Sequence, residues 1–262
     1  MARRSTGGAQ VESNEKIEML ATWIEASDYI VFFGGAGTST ESGIPDFRSA
    51  AGLYQSEHHS PYPPEIMLSY SFFMEKPDIF YDFYRSKMLH PAARPNGCHQ
   101  LLSRLEQEGK LKAVITQNID GLHQTAGCGE VLELHGSVHR NYCMDCNRFY
   151  SLQQVMEIQE LVPRCADCGG MIKPDVVLYE EELDHQLLKR AIHEISTADL
   201  LIVGGTSLTV HPAAGLINYY QGSRTAILNG DPTPYDHRAG LLITERIGEV
   251  MDKVNGMLRS SV

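Results

Sequence analysis

Nothing in this chain of 262 residues approaches the ~20 consecutive apolar residues that span a bilayer. Its start, MARRSTGGAQVESNEK, carries two arginines with no apolar run behind them. That is not the layout of a secretory signal, and residues 1–14 read as a disordered tail. Positive charge is scarce. Lys and Arg total 22 against 33 Asp and Glu, a formal charge of −11. Phosphate backbones and anionic lipid are held by basic surfaces, so no direct nucleic acid and no membrane is expected as a partner. Cysteine is sparse too: six residues, four of them in two C-x-x-C pairs. With no signal, this usage points to metal before disulfides and to a reducing, cytoplasmic compartment. Internal repeats and low-complexity stretches are absent. What remains is ordinary for a globular protein, 42% apolar and 21% charged, in one large domain or a domain with an insert.

Ile17, Leu20, Ala21 and Ile24 recur at helical spacing. Residues 29–33 read as a buried strand running into Gly34-Gly35-Ala36-Gly37, and 38–42 as a helix start stopped by Gly43 and Pro45. Residues 46–64 look like a long loop, and 65–90 are aromatic and helical in pattern. Further strands are expected at 111–116, 131–134, 176–178, 199–203 and 225–228. Helices are expected at 96–109, 182–195, 212–219 and 246–258. Strands alternating with helices predict an α/β fold, a parallel sheet with helices on both faces. The cysteine segment interrupts the alternation as an insert.

Cys143-x-x-Cys146 and Cys165-x-x-Cys168 make two knuckles at zinc-ribbon spacing. Four thiolates leave no open position, so one structural Zn²⁺ is expected; Cys98 and Cys128 read as plain thiols. The glycine loop after the first strand suits close backbone approach to a pyrophosphate, or simply a tight turn. It lacks the third glycine of the dehydrogenase fingerprint and a ribose-clamping acid ~20 residues on, which disfavours hydride transfer. Gln117, Asn118 and Asp120 follow a strand, where ligands bind in open α/β sheets; capping of a helix is the alternative for Asn118 and Asp120. His135 closes another strand and is a candidate general base. Gly205-Thr206-Ser207 and Asn229-Gly230-Asp231 place small polar groups at two more strand ends.

GGAGTSTESGIPDFR (34–48), TQNIDGLH (116–123), ELHGS (133–137), the paired C-x-x-C, PDVVLYEE (174–181), GTSLTVHPAA (205–214) and NGDPTPYD (229–236) resemble the sirtuins, NAD-dependent protein-lysine deacylases, from about residue 15 to 258. The resemblance implies a bacterial-type deacetylase with a Rossmann-like NAD-binding domain over 15–45, 91–137 and 173–262. It also implies a cofactor loop and helical module over 46–90 and a zinc module over 138–172. Gly35, Ala36, Gly37, Thr40, Asp46, Phe47, Arg48 and Tyr54 match the loop around pyrophosphate and nicotinamide ribose. Gln117, Asn118, Ile119 and Asp120 match the nicotinamide and ribose pocket, Asn118 and Asp120 as catalytic groups. Gly205, Thr206, Ser207 and Asn229 match the adenosine contacts, with Ile247 as adenine wall. His135 matches the general base, and Val176, Val177, Leu178 and Tyr179 the segment that pairs with the peptide. The implied reaction consumes NAD: the acyl oxygen attacks the ribose, nicotinamide leaves, His135 takes a ribose proton, and lysine and O-acetyl-ADP-ribose are released. The 46–64 loop is implied as a lid, and a monomer acting on acetylated proteins is expected.

Two positions depart from the family pattern. Glu180 stands where a glycine is usual, and Lys173 where an arginine is usual. The Tyr-x-x-Arg pair implied for succinyl preference is out of register: Tyr84 stands three residues after Tyr81, and Arg85 one later. Tyr81, Phe83 and Tyr84 are therefore expected to line an apolar acyl pocket. Three rivals stand beside deacylation: ADP-ribosyl transfer, a zinc-ribbon module for nucleic acid, and an oxidoreductase.

Overall fold

The computed structural model describes residues 6–46 and 62–260. The large sheet opens with β1 (Ile30–Gly34), β2 (Leu111–Thr116) and β3 (Val131–Glu133). The chain then leaves it for a small antiparallel sheet of β4 (Gly136–Cys143), β5 (Phe149–Ser151) and β6 (Ile172–Val176). It returns as β7 (Leu200–Gly204), β8 (Thr225–Leu228) and β9 (Leu241–Ile243). The six large-sheet strands are parallel, in the order β3-β2-β1-β7-β8-β9. Successive chain segments thus run outward from β1 in both directions. The switch point between β1 and β7 is where such sheets hold ligands.

The helices are α1 (Thr6–Glu25), α2 (Pro64–Met67), α3 (Tyr70–Glu75), α4 (Pro77–Phe83), α5 (Gly97–Gln107), α6 (Leu122–Ala126), α7 (Leu152–Glu157), α8 (His185–Thr197) and α9 (Ile247–Ser260). Strand side chains alternate between faces, and each face finds its own helices. Phe32, Val114 and Ile202 pack with Ile17, Leu20 and Ile24 of α1, Leu101 and Leu105 of α5, and Val250 and Val254 of α9. Phe33, Ile115 and Val203 pack on Ala191 and Ile195 of α8 and on a 3₁₀ segment, Ala213–Tyr219.

Two expectations shift, and one strand of the large sheet lies outside them. Residues 6–14, read as tail, belong to α1; the apolar stripe starts only at Ile17, and a polar contact, the Ser13 hydroxyl donating to Glu245, helps dock the earlier turns. The strand expected at 176–178 is β6, which ends at Val176 opposite Gly136, where its partner β4 begins. β9 is only three residues long, too short to stand out from the turns around it.

Candidate active site

The carboxyl ends of β1 and β7 are pressed together. Gly37 N–H donates to Gly205 O at 2.8 Å and Gly35 N–H to Gly204 O at 3.2 Å. Gly205 sits at φ +58°, and a Cβ there would lie 2.2 Å from the Thr38 nitrogen. Only glycine fits that backbone-on-backbone contact. The chain then winds into a 3₁₀ helix, Ala36–Ser42, closed by Gly43 in the left-handed region. Gly35 and Gly37 direct their N–H groups to β7; Ala36 between them lines the cleft, where loop backbone at a strand end suits a pyrophosphate, so the loop fits NAD.

In front of this loop lies a cleft of about 690 Å³. Gly35, Ala36, Gly37 and Asp46 line one part, Gln117, Asn118, Ile119, Asp120 and His135 the middle, and Val176, Val177, Leu178 and Tyr179 another; Gly205, Thr206, Ser207 and Asn229 also border it. Gln117 Nε2 donates to Thr206 Oγ1 at 3.1 Å, tying the ends of β2 and β7. A smaller hollow of about 200 Å³ continues from it, lined by Thr40, Asn229, Ile247 and Gly205 among others. Phe47, Arg48 and Tyr54 lie outside the described residues.

Ser39 escaped the sequence reading, yet it is the hub of the polar wall. Buried, its hydroxyl donates to Asp120 Oδ2 at 2.7 Å and accepts from Asn118 Nδ2 at 3.1 Å. Asp120 also accepts the Leu122 N–H through Oδ1 at 2.9 Å, in the turn ahead of α6, whose N-cap is Gly121 rather than Asn118 or Asp120. Behind the wall, Asn96 Nδ2 donates to Thr38 O at 2.8 Å and Ser42 Oγ at 3.0 Å. Its N–H donates to His99 Nδ1. His99 and His123 lie ring to ring, 4.6 Å between centroids, and both are buried. Burial drives His99 down to about 4, against the attraction of Asp120, and holds His123 well below the usual histidine value. The legible signal was the capping box, Asn96 with His99 three residues on.

His135 borders the cleft with its Nδ1 3.0 Å from Gln117 O. A carbonyl only accepts, so Nδ1 carries the proton and Nε2 keeps its lone pair. Burial lowers the His135 pKa from its usual value, and the Gln117 bond partly opposes this. Neutral, with a free Nε2, the ring has the form a general base needs. Gly136 makes this corner possible: at φ +75°, its Cβ would stand 1.9 Å from Asp175 O. Arg140 braces the corner by binding Asp175 Oδ2 at 2.7 Å and Glu133 Oε2 at 2.6 Å. Beyond β6 the chain stays extended, Val177 N–H donating to His135 O at 3.0 Å and Tyr179 N–H to Leu68 O at 3.0 Å.

The acyl-pocket expectation needs correction. Tyr81, Phe83 and Tyr84 are buried in the core beneath the small sheet, and none lines the cleft. The Tyr81 hydroxyl donates to Ile172 O. Helical packing turned that aromatic run inward. The apolar lining comes instead from Leu68, Met88, Ile119, Val138, Leu152, Val176 and Leu178. Arg85 points away, its guanidinium donating to the carbonyls of Val155, Ile158 and Glu160.

The four paired cysteines converge, their sulfurs all within 4.8 Å of one another. Cys143 and Cys168 sulfurs stand 3.4 Å apart, Cys146 and Cys165 3.6 Å. Tetrahedral zinc at its usual ~2.3 Å from sulfur demands nearly this spacing, so the cluster fits one Zn²⁺. The Tyr150 hydroxyl donates to Cys165 Sγ at 3.2 Å, a contact that orients a ligand. None of the four lines the cleft, as befits a structural ion. Among the described residues, no helix is long and apolar enough to cross a membrane.

A family model described as the Sir2 family matches residues 35–212. An NAD-dependent protein deacetylase of Clostridium acetobutylicum is 52% identical over 92% of this chain and 98% of its own length. Another, of Cutibacterium acnes, is 55% identical over 90% of this chain and 96% of its own. A solved Sir2 variant with deacetylated p53 peptide and 3′-O-acetyl ADP ribose superposes with a TM-score of 0.84 at 37% identity, covering 92% of this chain and 98% of that one. The family model covers more than half of the chain and these relatives nearly all of it, and the chain belongs to the Sir2 family, the sirtuins.

Proposed function

We propose that this protein is an NAD-dependent protein-lysine deacetylase that releases nicotinamide, O-acetyl-ADP-ribose and free lysine. The observation that carries the reading is His135, its Nδ1 turned to Gln117 O, bordering one cleft with both the glycine loop and the Val176–Tyr179 segment. NAD, when bound, supplies an electrophilic ribose carbon with nicotinamide as leaving group. The loop backbone around Ala36 would hold the pyrophosphate. Gln117, Asn118, Ile119 and Asp120, steadied by Ser39, hold nicotinamide and ribose. Thr40, Gly205, Thr206, Ser207, Asn229 and Ile247 take the adenosine side. His135 Nε2 accepts a proton from a ribose hydroxyl, and the lining from Leu68 to Leu178 keeps water from the acyl group.

The acetyl-lysine peptide lies along Val176, Val177, Leu178 and Tyr179 by strand addition. This division of labour follows three parts: the NAD-binding part over 15–45, 91–137 and 173–262, the helical module over 46–90, and the zinc module over 138–172. The working form is a monomer in a reducing, cytoplasmic setting, supported by four cysteines placed to bind as thiolates; acidic net charge supports protein rather than nucleic acid as partner. Incubation with NAD and an acetylated peptide tests the reading: nicotinamide and O-acetyl-ADP-ribose appear together in the wild type and not in His135→Ala. Peptide left acetylated while ADP-ribose is attached to protein would overturn it.

A further inference from the structure

Glu180 is a non-glycine residue in the left-handed region, at φ +78°. L side chains avoid that region, and a residue held there signals something that holds it. Here the holder is visible. The Glu180 carboxylate accepts twice from Ser71: from its N–H through Oε2 at 2.9 Å, and from its hydroxyl through Oε1 at 2.9 Å. Ser71 lies in the first turn of α3, where an amide lacks an intrahelical partner.

The neighbouring bonds run to the same helical module. Tyr179 N–H donates to Leu68 O, and Tyr70 N–H donates to Tyr179 O, both at 3.0 Å. On the other side Glu181 Oε2 accepts from Leu178 N–H at 2.8 Å and from Lys173 Nζ at 3.0 Å. Lys173 Nζ also reaches Val176 O at 3.0 Å. Two consecutive glutamates thus fasten the cleft lip in opposite directions, one to the helical module and one to β6. Residues 176–182 all line the cleft.

We infer that Glu180 is a positioning residue for substrate peptide: it clasps the Val176–Tyr179 lip to α3, so that the lip is already ordered when the acyl-lysine peptide arrives. The inference rests on the deacetylase reading. A lip fixed in advance spares the peptide the entropy of ordering it. The Glu180–Ser71 bonds touch neither His135 nor the glycine loop, so their expected effect falls on peptide binding.

The test compares wild type, Glu180→Gly, Glu180→Gln and Ser71→Ala, all full-length, with one acetylated peptide and NAD. Glycine relieves the backbone and removes the clasp. Glutamine keeps the backbone burden and retains a neutral acceptor for Ser71. The expected result is a five- to tenfold rise in peptide KM for Glu180→Gly. Its kcat and its KM for NAD stay within twofold of wild type. Ser71→Ala gives a smaller rise, and Glu180→Gln lies between wild type and glycine. Slower exchange of the Tyr70 and Ser71 amides in wild type than in Glu180→Gly is the matching structural readout. Unchanged peptide KM in Glu180→Gly, beside an active wild type, overturns the clasp and leaves the deacetylase reading standing. A fall in kcat with peptide KM unchanged also overturns it, and a wild type that releases no nicotinamide takes down both.

Discussion

The large sheet and the small sheet are stabilised by different means. Both faces of the large sheet are covered by helices, and its strands are nearly all fully buried. The core of the small sheet beside the cysteines consists of five buried residues, Cys143, Tyr150, Val155, Cys165 and Ile172. Two of those are metal ligands. A core that small does not pin the cysteine end of the sheet by apolar burial, so the cluster takes that role there, while Val138 and Val176 at the other end pack on the aromatic helices. Yet the active site needs both regions. The large sheet supplies the glycine loop and polar wall, while β6 of the small sheet leads straight into Val176–Tyr179. Rigidity at the peptide side of the cleft therefore depends on chemistry outside it.

Breaking that contrast should produce the largest effect. Zinc in small Cys-rich units contributes about 10 kcal/mol or more. Cys143→Ser or chelation should therefore melt β4, β5 and the start of β6 while β1, β2 and β7 keep their protection. Amide hydrogen exchange measures this, and equal loss of protection in both sheets would show that they are not separate. One zinc per chain by metal analysis is the companion result.

His135→Ala gives the reverse pattern, an intact fold with lost chemistry. Removing a general base costs roughly 10²- to 10⁴-fold in rate, with melting temperature and zinc content unchanged. Turnover within tenfold of wild type would reassign the base. Because burial holds His135 below its usual value, the acid limb of kcat/KM should have its midpoint below 6.5, the ring being active only when neutral. A midpoint above 6.5 contradicts the buried, neutral ring.

The buried His99–His123 pair sharpens the comparison through pH. Both folded-state values lie below the unfolded 6.5, His99 near 4. The unfolded chain thus binds more protons between these values, and stability falls as pH drops from about 6.5 toward 4. The loss for His99 is on the order of 3 kcal/mol. His99→Gln should flatten that slope in urea titrations, and an unchanged slope would remove the pair as its source.

Smallest is the acyl preference. The cleft lining is largely apolar and Arg85 is engaged elsewhere. A buried carboxylate without a cation is costly, so acetyl-lysine should be cleaved at least ~10-fold faster than succinyl-lysine in kcat/KM, about 1.4 kcal/mol. Lys87 is the one Lys or Arg among the described lining residues. If succinyl prevails, Lys87→Met and not Arg85→Met should reverse it.

The sequence by itself determined what depends on local pattern. The glycine turn after a buried strand, the zinc spacing, the alternation that builds a parallel sheet and the polar strand ends were all legible, because each is a property of adjacent residues. The motifs also carried the family. Tertiary structure decided whatever required two distant segments to meet. Ser39 became a hub only because Asn118 and Asp120 lie across from it. His99 matters because α6 lays His123 against it. The family resemblance places Tyr81, Phe83 and Tyr84 in the acyl pocket, but the small sheet covers them and they are core. Glu180 appears in the sequence as a lost glycine, and only the nearby first turn of α3 shows what its carboxylate holds. Spacing along the chain fixes which face a side chain takes. What occupies that face is set by packing between segments far apart in sequence.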